Sequence, residues 1–141
     1  MRIRLFMRGR IGQSPEGELV QRYLKRLPWE TQVTEWPDQG GPGFPPHDGA
    51  TRTILLDERG RDMGSAEFAA QIGRWRDDGF RELRFAIGAA DGFDDAQRAE
   101  ADLLIAFGRM TWPHMLARVM LAEQLWRAAS ILANHPYHRA G

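Results

Sequence analysis

The sequence contains no cysteine, which removes disulfides, thiolate metal sites and cysteine nucleophiles together. Lysine is nearly as scarce: Lys25 is the one lysine among 19 basic residues, the others being arginine. No charge excess of either sign exists, since 19 acidic residues balance the 19 basic ones, and a simple polybasic nucleic-acid binder is therefore not expected. Long apolar runs are missing as well. The opening "MRIRLFMRGR" has charge interspersed through it and no signal-peptide core, and no stretch approaches the ~20 apolar residues of a spanning helix. These absences lead to the expectation of a soluble, cytoplasmic protein with no membrane segment. No metal is expected either, because His135 and His138 have neither a cysteine nor a third ligand nearby.

What is present fits one compact α/β domain over residues 1–141, with 43% hydrophobic residues to build a core. Both ends of the chain are basic and the middle is acidic. Should the fold join the ends, they would form one positive face for a polyanion such as RNA. "RIRLFMR" (2–8) alternates as a strand does, and Ser14-Pro15 opens a helix that Pro28 stops. "TQVTEW" (31–36) reads as a second strand. The segment "PDQGGPGFPPHDG" (37–49) carries four of the eight prolines and reads as a loop or flexible excursion.

The second half alternates more regularly. "TRTILLDERG" (51–60) is a strand running into a polar turn; a helix opening at Ser65 closes near Gly79; and "FRELRFAIGAADG" (80–92) is a strand breaking into a glycine-containing loop. Asp94 and Gln97 form a capping box. "ADLLIAFG" (101–108) is a further buried-type strand, and the last helix runs from about Pro113 to Ala133. Strand and helix in alternation predict a mostly parallel sheet flanked by helices.

In such sheets ligands bind beyond the carboxyl ends of the strands. Three strands end in candidate loops: "LLDERG" (55–60), "IGAADG" (87–92) and "FGRMTWPH" (107–114). Their glycines let backbone approach an adenine or amino-acid moiety. Neither GxxxxGK[ST] nor GxGxxG occurs, which argues against a P-loop or a standard dinucleotide site. The last helix is apolar around nearly its whole circumference, so one side needs a partner, and a symmetric homodimer is the simplest cover. Glu123 and Arg127 have ion-pair spacing. Arg118 has no acidic partner within its helix and is the candidate for an anionic ligand group.

"LLDERG", "IGAADG", "MTWPHMLARVMLAEQLWRA" and "NHPYHR", in this order and with the early "YLKRLP" (23–28), resemble the ribosomal RNA large subunit methyltransferase H family of the SPOUT superfamily. The resemblance implies transfer of a methyl group from S-adenosylmethionine to N3 of a pseudouridine, with ribosomal RNA in the large subunit or 70S ribosome as substrate. It further implies a trefoil-knotted sheet and an obligate homodimer. Cofactor contacts would fall on Leu56 and Asp57, on Gly88 and Ala89, and on Gly108, Arg109, Met110, Thr111, Trp112 and Pro113. The chain departs from the family in having Ala89 after Gly88 where two glycines are usual, and "IAFG" (105–108) where a serine-containing run is usual. A SPOUT enzyme acting on transfer RNA and a non-catalytic ribosome-binding module are the alternatives.

The terminal "HPYHR" then takes a catalytic reading. The acceptor is an imide nitrogen that keeps its proton at neutral pH, so a base or an anion-favouring environment would help. His138 is the natural base by residue type. Tyr137 would stack on or hydrogen-bond the target base, and Arg139 would bind a flanking phosphate or stabilise the imide anion. His135 and Pro136 would stop the helix and aim these three residues, with His135 and Arg118 beside the substrate.

Overall fold

The computed structural model describes residues 1–88 and 92–139. Its elements in chain order are β1 (Arg2–Arg8), α1 (Pro15–Leu24), β2 (Glu30–Trp36), β3 (Thr51–Asp62), α2 (Ser65–Asp77), β4 (Glu82–Ile87), α3 (Asp95–Glu100), β5 (Leu103–Ala106) and α4 (His114–Leu132). The five strands form one sheet in the order β2-β1-β4-β3-β5. Every neighbouring pair is parallel, as the strand and helix alternation requires.

Local chemistry explains where the helices begin. Ser14 Oγ accepts from Gly17 N–H at 3.1 Å and Pro15 sits in the first turn, where its missing N–H is harmless. Asp94 and Gln97 close the expected capping box on α3. The helix that opens at Ser65 is capped by Gly64, and Glu67 reaches back to the Gly64 N–H. At the far end of α4, Asn134 takes a left-handed φ of 57°. His135 N–H then bonds Ser130 O at 2.8 Å and Asn134 N–H bonds Ile131 O at 3.2 Å, which is a Schellman stop. Asn134 thus ends the helix ahead of His135 and Pro136.

The two faces of the sheet are covered differently. Ile3, Leu5 and Met7 of β1, with Leu83, Phe85 and Ile87 of β4, point to one face and pack with Phe68, Ile72, Leu121 and Leu125. Helix α4 lies between α1 and α2 and contacts both, so three helices and the main core share that face. The other face holds Phe6, Trp36, Leu55, Ala86 and Phe93. There the proline-rich segment 37–49 stands in for a helix. Phe44 lies edge-on to Phe6 (5.2 Å between centroids) and to Trp36 (5.4 Å). Arg84, almost wholly buried, donates to Pro45 O at 2.7 Å and Pro46 O at 3.2 Å, and Arg8 donates to Pro37 O and Gly40 O. The expected flexible excursion is a cover fastened by arginines.

Candidate active site

Strand β3 pairs with β5 through Leu56↔Ile105 and again through Arg61↔Ile105. Residues 57–60 therefore bulge out of the ladder at the carboxyl end of the sheet. Asp57 folds this bulge by accepting from Arg59 N–H at 2.8 Å and from Arg98 Nε at 2.8 Å. Gly60 is pressed onto the β5 backbone so closely that a Cβ would lie 2.5 Å from the Ile105 carbonyl carbon, and no other residue fits there without moving the strand. After β5, Gly108 turns the chain with φ 85°, and Trp112 Nε1 donates to Phe107 O at 2.8 Å, closing the loop on itself.

Between these segments lies a cavity of about 460 Å³, within the size range of small-molecule sites. Leu56, Asp57, Gly88, Gly108, Arg109, Met110, Thr111, Trp112 and Pro113 all line it. Three sequence-distant loops are thereby brought together around one space. Ala89 lies outside the described residues. The wall also includes Glu58, Ile87, Gly92, Phe107 and His114 from the same three loops, and Arg98, which lies outside them and was not expected as a contact. Arg98 had one legible signal, a cation on the short helix after the second loop. Its hydrogen bond to Asp57 holds the guanidinium more firmly protonated than usual, and the two form an ion pair at 2.8 Å. Met110 and Trp112, 77% and 44% exposed, form an apolar rim at the mouth.

Arg118, expected to hold an anionic ligand group, does something else. Its buried guanidinium donates to Glu35 Oε2 at 2.5 Å and to the carbonyls of Arg8 and Gly9, both at 3.1 Å. It ties the start of α4 to the ends of β1 and β2. Burial raises the Glu35 carboxyl, but the hydrogen bonds from Arg118 and from Ile11 N–H outweigh it and hold the group below its ordinary pKa. Arg2 and Arg127 are similarly engaged, with Glu82 and Glu123, so part of the charge at the basic ends is compensated.

The tail folds back along the outer side of α4. Arg127 and Glu123 pair at 2.6 Å, the expected i,i+4 contact. Tyr137 Oη donates to Glu123 Oε1 at 3.1 Å, and its ring sits under the Arg127 guanidinium at 4.8 Å and beside Trp126 at 5.7 Å. Desolvation together with the Glu123 charge pushes the Tyr137 phenol up to about 12, so it stays protonated at neutral pH. His135 packs edge-on against Trp126, and its Nδ1 accepts from Tyr137 N–H at 3.2 Å. His138 Nδ1 lies 3.1 Å from Arg127 Nη1. A guanidinium only donates, so Nδ1 is the acceptor and the neutral ring carries its proton on Nε2. The Nε2–H is thereby left to donate. None of residues 135–139 lines the cavity: the cavity meets the start of α4 as far as Ala117, whereas the tail packs on Glu123, Trp126 and Arg127 further along the helix.

A fold with a parallel sheet, and a pocket built from the loops after β3, β4 and β5, defines a class. The family described as "Predicted SPOUT methyltransferase" matches residues 45–138, and the chain belongs to it. Among curated relatives, the ribosomal RNA large subunit methyltransferase H of Rhizorhabdus wittichii is 64% identical over 141 residues, spanning the whole of both chains. The proteins of that name from Novosphingobium aromaticivorans and Zymomonas mobilis are 64% and 57% identical, again over the whole of both chains.

Proposed function

We propose that this chain transfers a methyl group from S-adenosylmethionine to N3 of a pseudouridine in large-subunit ribosomal RNA, presented in the assembled large subunit or intact ribosome, and that it works as a homodimer. The observation that carries this reading is the convergence of three strand-end loops on one cavity in a chain whose full-length relatives bear that enzyme's name.

The cavity suits the donor. Backbone groups of Gly88 and Gly108 and the apolar surfaces of Leu56, Met110 and Pro113 fit an adenine and a sulfonium-bearing chain, and Glu58 offers a carboxylate to a cationic group. When bound, S-adenosylmethionine would supply a methyl carbon made electrophilic by the sulfonium, its S–C bond breaking as the N3–C bond forms and the N3 proton being released to water. Little covalent help is needed, so alignment dominates. With Tyr137 held protonated and His138 donating from Nε2, the tail favours the imide anion by hydrogen bonding and does not take up the proton itself. Arg139 adds a cation for a flanking phosphate.

The placement of the tail supports the dimer. One chain's tail is held on Glu123 and Arg127 and lines no part of its own cavity. A second copy packed antiparallel along α4 brings each tail to the other's cavity and covers Met110, Trp112 and Leu116, which are exposed in the single chain. Ending the chain after Asn134 tests both halves of the reading. Transfer of labelled methyl to large subunits falls by more than about 100-fold, while calorimetric S-adenosylmethionine affinity stays within about threefold. Activity that survives truncation removes the tail from catalysis. Methylation of transfer RNA in place of subunits redirects the substrate, and ribosome binding without cofactor binding leaves a non-catalytic module.

A further inference from the structure

Strands β1 and β4 are both internal to the sheet, and internal parallel strands are ordinarily apolar on both faces. Here the amino-terminal half of the second face is arginine-rich. Arg4 and Arg84 are register partners on adjacent strands, as are Arg2 and Glu82. Among the described residues no helix covers this corner; a cavity of about 360 Å³ opens there, its lining including Arg2, Arg4, His47, Arg81, Glu82 and Arg84.

Its charges do not balance. Glu82 is shared between two guanidiniums, with Arg2 Nε at 3.0 Å on one oxygen and Arg84 Nε at 3.1 Å on the other. The remaining lining carboxylate, Asp48, caps the Ala50 N–H at 2.9 Å. Arg84 spends its other donors on the Pro45 and Pro46 carbonyls. Arg4 and Arg81 have no carboxylate partner among the described residues. Arg4 Nε is buried with no acceptor at all, although an unmet buried donor is a destabilising feature. Stacking of Arg4 on Phe6, 4.9 Å from the ring centroid, fixes its plane. One guanidinium held in place by stacking, Arg4, and a second, exposed one, Arg81, both uncompensated in an open concavity, call for an oxyanion with several acceptor oxygens.

We propose that this corner is a phosphate-binding site that anchors the RNA backbone away from the reacting base. It rests on the RNA reading above and extends it. The site lies at the amino-terminal ends of the strands, and the candidate active site at their carboxyl ends. Six residues of β4 separate them by roughly 17 Å, a span of a few nucleotides. The anchor therefore raises affinity for the substrate without touching the methyl donor.

The double variant Arg4→Gln/Arg81→Gln tests it against purified large subunits. The expected result is a KM raised at least fivefold, with kcat at saturating subunits and S-adenosylmethionine affinity both within about twofold. The slope of log binding constant against log salt also falls by about 1 to 2, as expected when one or two phosphate contacts are lost. Unchanged KM and salt slope overturn the proposal. A second measurement uses the unmodified chain: inorganic phosphate is titrated at constant ionic strength while the Arg4 Nε–H resonance is followed by NMR. A saturable shift that chloride does not reproduce supports the site, and no shift overturns it. Wild-type chain that methylates no ribosomal particle defeats the proposed function, yet the phosphate titration still decides this corner on its own.

Discussion

The sheet's two faces solve one problem by different means. On the first, α1, α2 and α4 bury a continuous apolar layer in which Ile3, Ile54, Ile72, Leu83, Leu121 and Leu125 are completely inaccessible. On the second, a smaller aromatic group is capped by residues 37–49, and arginines grip that segment through its backbone carbonyls. Non-directional burial holds the first face, where any well-shaped apolar side chain serves. Directional bonds to particular oxygens hold the second, so its stability depends on a few side chains. The second face has given up part of its apolar cover, and the charge exposed there is available for binding.

Three substitutions probe that contrast. The largest loss is expected from Leu121→Ala, which empties a fully buried position between α4 and the sheet and lowers unfolding free energy by about 2 to 5 kcal/mol in urea denaturation. Arg84→Met comes next, at about 2 to 3 kcal/mol. It strips the segment of two carbonyl partners and leaves Glu82 with Arg2 alone. Amide exchange separates the two: Arg84→Met accelerates exchange in 37–49 while α4 stays protected, and equal acceleration of both regions would mean that the faces form one cooperative unit. The smallest effect is a change of slope. Because the Glu35 carboxyl is held below its ordinary value of 4.5 in the folded chain, its pairing stabilises fully above about pH 4.5 and is lost as pH falls through the folded value. Glu35→Gln therefore flattens the decline of stability in that acid window, measured by denaturation at a series of pH values. An undiminished slope would assign the acid sensitivity to other carboxylates.

The same contrast explains what the sequence made legible. Alternation in "RIRLFMR" and the helical spacing of Phe68, Ile72 and Trp75 report burial, and the strands and helices on the first face follow from them. Backbone carbonyls carry no residue signature, so nothing in "PDQGGPGFPPHDG" announces that Arg8 and Arg84 hold it down. The cavity was readable because a parallel sheet places its ligand loops at one end, so three glycine-bearing turns had to converge there. The pairing of Arg118 with Glu35 was not legible, because Glu35 stands 83 residues earlier on another element, beyond any local pattern. The tautomer of His138 was likewise hidden, since it depends on the arginine that the folded-back tail meets.

One feature of α4 sets a rule for how this chain can change over evolution. The helix is a rigid rod whose start forms a pocket wall and whose later turns carry Glu123 and Arg127, on which the tail is held. Inserting a single residue between Glu123 and Asn134 would turn everything downstream by about 100° and advance it ~1.5 Å, swinging Tyr137 off Glu123. Length variation is therefore tolerable in the strap between β2 and β3, but in this rod only substitutions that preserve its residue count are.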